Sequence, residues 1–438
     1  MGAEYIVAAM LLAGLALCGA TLVAASAASL SPDEARIAAY VDAHVDDAVD
    51  LLARLVNINS GTMNHAGVRE VGAVLRRELD AIEFETRWID MTAVNRAGHL
   101  FAERRGSRGK RLLLIGHLDT VFEADSPFQR FDRDGDRARG PGVQDMKGGD
   151  VVVLFALKAL ASVGALDGTT VTAAFTGDEE HGGEPVAVAR RDLVAAGRRS
   201  DVALEFEALI REDGRDYATI ARRSASEWSL TATGRIGHSG AIFKESAGYG
   251  AIFEAARILE ALRVELAGEP HLTFSPGLIL GGTEVDRDTT HQRGTAFGKT
   301  NVIAPTAVVT GDIRTISDAQ LQSVRDRMRA IVARHLPGTS AEITFSEGYP
   351  AMSPTAANQA ILDLLNEVNG ALGAPSLEPL DPDLRGAGDI SFVAPDLPCL
   401  AGLGVAGSGG HAPSETADLS GLPLQIKRAA LLIYRLTR

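Results

Sequence analysis

The 438-residue chain reads as an α/β protein, a mostly parallel sheet with helices on both faces, interrupted by an inserted α+β unit. Three observations predict this. Short apolar runs at residues 111–115, 171–175 and 202–206 alternate with helical patterns, the signature of strand–helix–strand units. From about residue 224 the order becomes β-α-β-β-α-β, a ferredoxin-like arrangement with a four-stranded antiparallel sheet. After Tyr349 the first pattern resumes, so an inserted domain at 224–346 divides a main domain into 31–223 and 347–438. The length allows two or three domains and a large core, and 46% hydrophobic with 23% charged residues is ordinary globular composition.

Net charge is −14, from 43 basic and 57 acidic residues, and aromatics make up only 5%. Neither the electrostatic footprint nor the stacking surface of a nucleic-acid binder is present, so no nucleic-acid partner is expected.

Tyr5 to Ser29 carries no charge and leads into Ala25-Ser-Ala27, an A-x-A-like cleavage signal. Residues 1–27 therefore read as a signal peptide, with a membrane anchor as the alternative, since about 20 apolar residues can span a bilayer. The expected location is periplasmic or secreted. Cleavage after Ala27 removes Cys18 and leaves Cys399 alone, so no internal disulfide is expected.

Ser31-Pro-Asp-Glu34 is a capping box with Pro at the first helical position. Ile37, Val41, Val45, Ala48, Leu52 and Leu55 then predict one long helix, and a second lies around 68–79. The buried strand 111–115 ends in Gly116-His-Leu-Asp-Thr-Val121. A polar loop at 132–139 precedes Gly140-Pro-Gly-Val-Gln-Asp-Met-Lys-Gly-Gly149 and a helix over 151–160. The strand 171–175 runs into Gly177-Asp-Glu-Glu180, followed by a helix at 185–196 and the strand 202–206.

In the inserted domain, residues 227–233 alternate as a half-exposed strand does. Ile252, Ala256, Leu259, Leu262 and Leu266 mark a helix, and strand-like runs follow at 271–280 and 301–315. Ser317-Asp-Ala-Gln320 opens a further helix, and 341–345 closes the set. Residues 283–299 read as a long charged loop. The chain ends with a helix at 358–372, a Gly- and Pro-rich stretch, a glycine loop reaching His411, and a helix at 422–436.

Chemistry gathers at the strand ends. Neighbours along a strand face opposite sides, so Glu179 and Glu180 are suited to different tasks, one holding a metal and one moving a proton. His117 and Asp119 are two apart and project the same way, which suits a metal-bound imidazole held by a carboxylate. Asp145 follows a Gly-Pro-Gly turn, where a helix cap is the competing reading, and Glu207 lies just past a strand beside the rival Glu205. His411 stands in a flexible loop with no core to fill. Active groups of an α/β sheet collect at its carboxyl ends. Two His with three or four carboxylates make a mixed N/O donor set for zinc, cobalt or manganese, and for two metals.

Gly116-His-Leu-Asp-Thr-Val121, Gly140 to Gly149, Thr176-Gly-Asp-Glu-Glu180 and Gly409-Gly-His411 resemble the motifs of the co-catalytic zinc metallopeptidases. That family includes glutamate carboxypeptidase, aminoacylase, acetylornithine deacetylase and succinyl-diaminopimelate desuccinylase, and the match runs from about residue 45 to the end. The resemblance implies two zinc ions, one on His117 and Glu207, the other on Glu180 and His411, bridged by Asp145 with a cis peptide after it. It implies that Asp119 orients His117 and that Glu179 is the general base. The inserted domain would be a lid and dimerisation domain whose His238 stabilises the oxyanion, often across a homodimer interface. Asn301 and Arg314 would hold a substrate carboxylate, and Gly386-Ala-Gly388 would line the substrate. Glu at position 207 tends to accompany carboxypeptidases and acylases, so the implied substrate is a small peptide or an N-acyl amino acid. His181, after Glu180, is not part of the family pattern. An aminopeptidase or dipeptidase of the same family, or a non-catalytic binding protein on its fold, are the alternatives. Gly402-Leu-Gly-Val-Ala-Gly407 spells a dinucleotide-binding fingerprint, but no helix follows it.

Overall fold

The computed structural model describes residues 29–288 and 293–438, so the leader expected over 1–27 lies outside the described residues. Its main sheet has six strands in the order Glu85–Ile89, His99–Arg104, Thr169–Thr176, Arg108–His117, Val202–Glu205 and Cys399–Leu400. The last four run parallel, and the first two are antiparallel additions at one edge. His117 is level with Thr176, and Ile115 with Glu205. The turns carrying Asp119, Glu179 and Glu207 therefore leave the sheet at the same edge.

The central strands are buried on both faces, which explains their unbroken apolar runs. The helix Lys147–Ser162 is buried along almost its whole length and packs against the helix Leu422–Leu436. Its Gly149 meets the end of the 202–205 strand so closely that a Cβ there would lie 1.8 Å from the Phe206 carbonyl oxygen.

Several local expectations are corrected. The long first helix is two, Pro32–Ala43 and Val45–Val56, broken at His44, whose Nδ1 turns back onto the Tyr40 carbonyl at 2.8 Å. The helix expected over 185–196 is likewise split, into Val186–Ala189 and Arg191–Gly197, at Arg190. The polar loop 132–139 is a hairpin turning at Gly135, with φ 58°, and it pairs with the strand Thr416–Asp418. Within the expected loop 283–299, Glu284–Asp288 pairs antiparallel with Arg293–Phe297.

Between these halves lies the four-stranded antiparallel sheet, in the order Thr273–Gly282, Thr306–Arg314, Ser226–Gly234 and Thr339–Phe345. The helices Ala251–Leu266 and Asp318–Val332 pack onto it around a core of their own containing Trp228, Leu230, Ile258, Val309 and Met328. Ser317 caps the second helix, its Oγ accepting from Gln320 N at 3.1 Å. The chain leaves and returns through paired segments, with bridges at Arg222–Met352 and Ala225–Tyr349. Among the described residues no helix is long and apolar enough to cross a membrane.

Candidate metal centre

Asp145 stands between two histidines. One carboxylate oxygen lies 3.2 Å from His117 Nε2 and the other 3.1 Å from His411 Nε2. His411 Nε2 also meets Glu180 Oε2 at 3.1 Å. His117 Nδ1 points at the Asp119 carbonyl oxygen, 3.1 Å away. A carbonyl only accepts, so Nδ1 donates to it and Nε2 faces the cluster.

Two overlapping donor groups result, His117 with Asp145 and Glu180, and His117 with Glu179 and Glu207, with the ligand atoms of each group within 4.8 Å of one another. The loop before the helix Lys147–Ser162 is held by Glu415, which accepts from the N–H groups of Gly142, Gln144 and Asp145 at 2.8–3.0 Å. The peptide Asp145–Met146 is cis.

Glu205 and Glu207 differ in what each touches. Glu205 accepts from Ile390 N at 2.9 Å and pairs with buried Arg222 at 2.7 Å, outside both donor groups. Glu207 belongs to a donor group and also pairs with Arg222 at 2.5 Å and Arg385 at 2.8 Å.

The electrostatics fit a cation. Burial alone would depress the His117 imidazole, yet the Asp119 and Asp145 carboxylates hold it well above its usual value. Hydrogen bonds to Asp145 and Glu180 push His411 up to about 11. Burial pushes Glu180 up to about 7. Burial, together with the charge of Glu207, raises Glu179 well above the carboxylate range. Glu180 Oε1 is buried without a hydrogen-bond partner, a costly state for a carboxylate oxygen that a metal ion relieves. Crowded carboxylates, histidines aimed at them and an orphaned oxygen are a donor set that fits divalent metal.

The remaining predicted residues are not brought into this cluster. His238 is exposed, pairs with Val302 across a two-stranded ladder, and accepts from Gly240 N at 3.1 Å. The Asn301 carbonyl accepts from Ser239 N at 2.9 Å, so Asn301 and His238 sit side by side. Arg314, at the end of its strand, pairs with Asp312 at 3.1 Å. Gly386 and Gly388 lie closer to the centre. The Gly386 carbonyl accepts from Arg222 at 3.1 Å, and a Cβ on Gly388 would meet Arg222 at 2.6 Å. His181 is exposed and contributes its carbonyl to Arg96. Glu415, Arg222 and Arg190 carry no motif of their own, because a buried charge is recognised by its partners and those are far away in sequence.

The model of the peptidase family M20/M25/M40 matches residues 113–435. Carboxypeptidase G2 of Pseudomonas sp. (strain RS-16) is 26% identical over 404 residues, covering 89% of each chain. A succinyl-diaminopimelate desuccinylase of Alkalilimnicola ehrlichii is 26% identical over 392 residues, 86% of this chain and 96% of that one. Among solved structures, aminopeptidase PepT of Bacillus cereus superposes with a TM-score of 0.71 at 17% identity, over 90% of this chain and 99% of that one. An M20 family metallo-carboxypeptidase of Sulfolobus solfataricus gives 0.61 at 15% identity, over 90% and 99%. The chain is a metallo-hydrolase and belongs to the peptidase family M20/M25/M40.

Proposed function

We propose that this hydrolase cleaves an amide or peptide bond next to a free carboxylate, as a carboxypeptidase or an N-acyl-amino-acid amidohydrolase, using two zinc ions. The observation that carries the reading is Asp145, with one oxygen toward His117 and the other toward His411, in a donor group with Glu180, while Glu179 shares a second group with His117 and Glu207. His117 and Glu207 would hold one ion, Glu180 and His411 the other, and Asp145, which faces both histidines, would serve both. When bound, the pair supplies Lewis-acid polarisation and lowers the pKa of water at the site.

Glu179 takes a proton from the attacking water and returns it to the leaving nitrogen. Its raised affinity for protons suits that exchange. His238 supplies an oxyanion donor. Arg314 and Asn301 hold the substrate carboxylate, Arg314 with a two-pronged guanidinium. Gly386 and Gly388 shape the turn that the substrate lies against. The relatives named carboxypeptidase and desuccinylase support this substrate class.

Exposed Phe243, Ile252 and Phe253 on the inserted unit support a homodimer formed through it. The apolar leader supports export to the periplasm or beyond. The test is a hydrolysis screen of N-acyl amino acids against dipeptides, with and without chelator. Chelator-sensitive release from substrates with a free carboxylate is expected. Activity that survives chelation, or that ignores the carboxylate, overturns the reading.

A further inference from the structure

We infer that Tyr349, braced by Arg190, is a positioning residue for Glu179. The inference rests on the reading of Glu179 as the general base, and it concerns a residue outside every motif in the sequence.

The peptide joining Glu179 to Glu180 is gripped from two sides. Asp119 accepts from the Glu180 N–H of that peptide at 3.1 Å and from the N–H of the preceding one, Glu179 N, at 3.0 Å. On the other side the Tyr349 hydroxyl donates to the Glu179 carbonyl at 2.8 Å. That hydroxyl in turn accepts from Arg190 Nη2 at 3.0 Å. Arg190 is buried and spends its remaining N–H groups on the same neighbourhood. Nε donates to Asp389 Oδ1 at 2.8 Å, Nη1 to Asp178 Oδ1 at 2.5 Å and Nη2 to the Asp178 carbonyl at 3.0 Å. Asp178 immediately precedes Glu179, and Asp389 immediately follows Gly388.

The phenol is itself fixed. Tyr349 exchanges two backbone hydrogen bonds with Ala225, at 2.8 and 2.9 Å, where the chain crosses between the inserted unit and the main sheet. Its ring packs on Phe392, centroids 4.9 Å apart. A donor so anchored leaves the Glu179 backbone one orientation, and the carboxylate then reaches the cluster through its side-chain torsions alone. Placement of that kind matters for catalysis because a shift of about 1 Å can cost a hundredfold in rate.

The test is Tyr349→Phe, which deletes the donor and keeps the ring on Phe392, combined with Glu179→Gln in a double-mutant cycle. Tyr349→Phe is expected to lower kcat at least about tenfold, with KM, zinc content and Tm close to wild type. In the Glu179→Gln background the same substitution is expected to change almost nothing, because its effect passes through the base. The inference is overturned by a wild-type kcat, by a fall that tracks lost zinc or lost Tm, or by an undiminished fall in the Glu179→Gln background. Failure of the base reading shows separately, as activity in the Glu179→Gln single variant.

Discussion

The Asp119 carboxylate accepts a hydrogen bond from the backbone N–H of Glu179, with Oδ1 and N 3.0 Å apart. Its other oxygen accepts from Glu180 N at 3.1 Å and from Thr62 Oγ1 at 2.6 Å, while His117 takes the Asp119 carbonyl. Asp119 therefore ties the turn after one strand to the turn after its neighbour. An amide in its place offers one accepting oxygen and turns a second donor toward a buried N–H. Asp119→Asn is expected to lower stability by about 1–3 kcal/mol, the cost of leaving a buried donor unsatisfied. Activity should fall as the 179–180 turn loosens. Thermal melts and turnover check both, and a variant with unchanged Tm and rate would show that the turn holds itself.

Glu179→Gln keeps the size and the backbone contacts of Glu179 and removes its proton chemistry. General acid–base groups contribute about 10²–10⁴-fold, so turnover should drop within that range while metal content stays at the wild-type level. Surviving activity would assign the base elsewhere.

Metal uptake should release protons. His117 sits well above its usual value and His411 at about 11, so both are protonated near neutral pH without metal. Ligation needs neutral imidazole. With these raised values, metal must displace protons, and apparent affinity should rise with pH. Calorimetric titration with zinc in two buffers of different ionisation enthalpy measures the release. Identical heats in both would contradict this assignment of charge.

The sequence made the main sheet and the donor residues legible for the same reason. Parallel strands buried on both faces are plain apolar runs, and in such a sheet the chemistry follows the run, as His117 follows Leu112 to Ile115. The edge strand Glu85–Ile89 was illegible because it is half-exposed and mixes charge with Trp88. His44 breaks a helix whose apolar spacing continues through the break, so periodicity alone joined the two pieces. Among the donors, Glu207 was separated from Glu205 only by resemblance, because both are adjacent to the same strand end. Arg222, which pairs with both carboxylates, had no local signature at all.

His238 lies in the inserted unit, and its hydrogen bonding stays local, an accepted bond from Gly240 N. If it serves as an oxyanion donor, its removal acts on the transition state and leaves the metal donors intact. His238→Ala is expected to lower kcat by about 10²–10³, as loss of a single oxyanion donor does, with metal stoichiometry preserved. Matched kcat and metal loss would place His238 in a structural role.

Gly149→Ala probes how the centre is assembled. Gly149 lies in the first turn of the helix that follows Asp145, and the Phe206 carbonyl it faces belongs to the residue before Glu207. A methyl group 1.8 Å from that oxygen forces the helix away from the strand end, and so Asp145 away from Glu207. Alanine favours a helix over glycine by about 1 kcal/mol, which opposes the effect. Overpacking against rigid backbone costs about 1–3 kcal/mol or more, and a clash this short belongs at the upper end. The net result should be a lower Tm together with weaker metal binding, because one displacement strains the packing and separates two donors. Metal affinity and Tm measured on the same preparation decide the matter. A fall in Tm alone would mean that the helix moves along the strand end without parting Asp145 from Glu207.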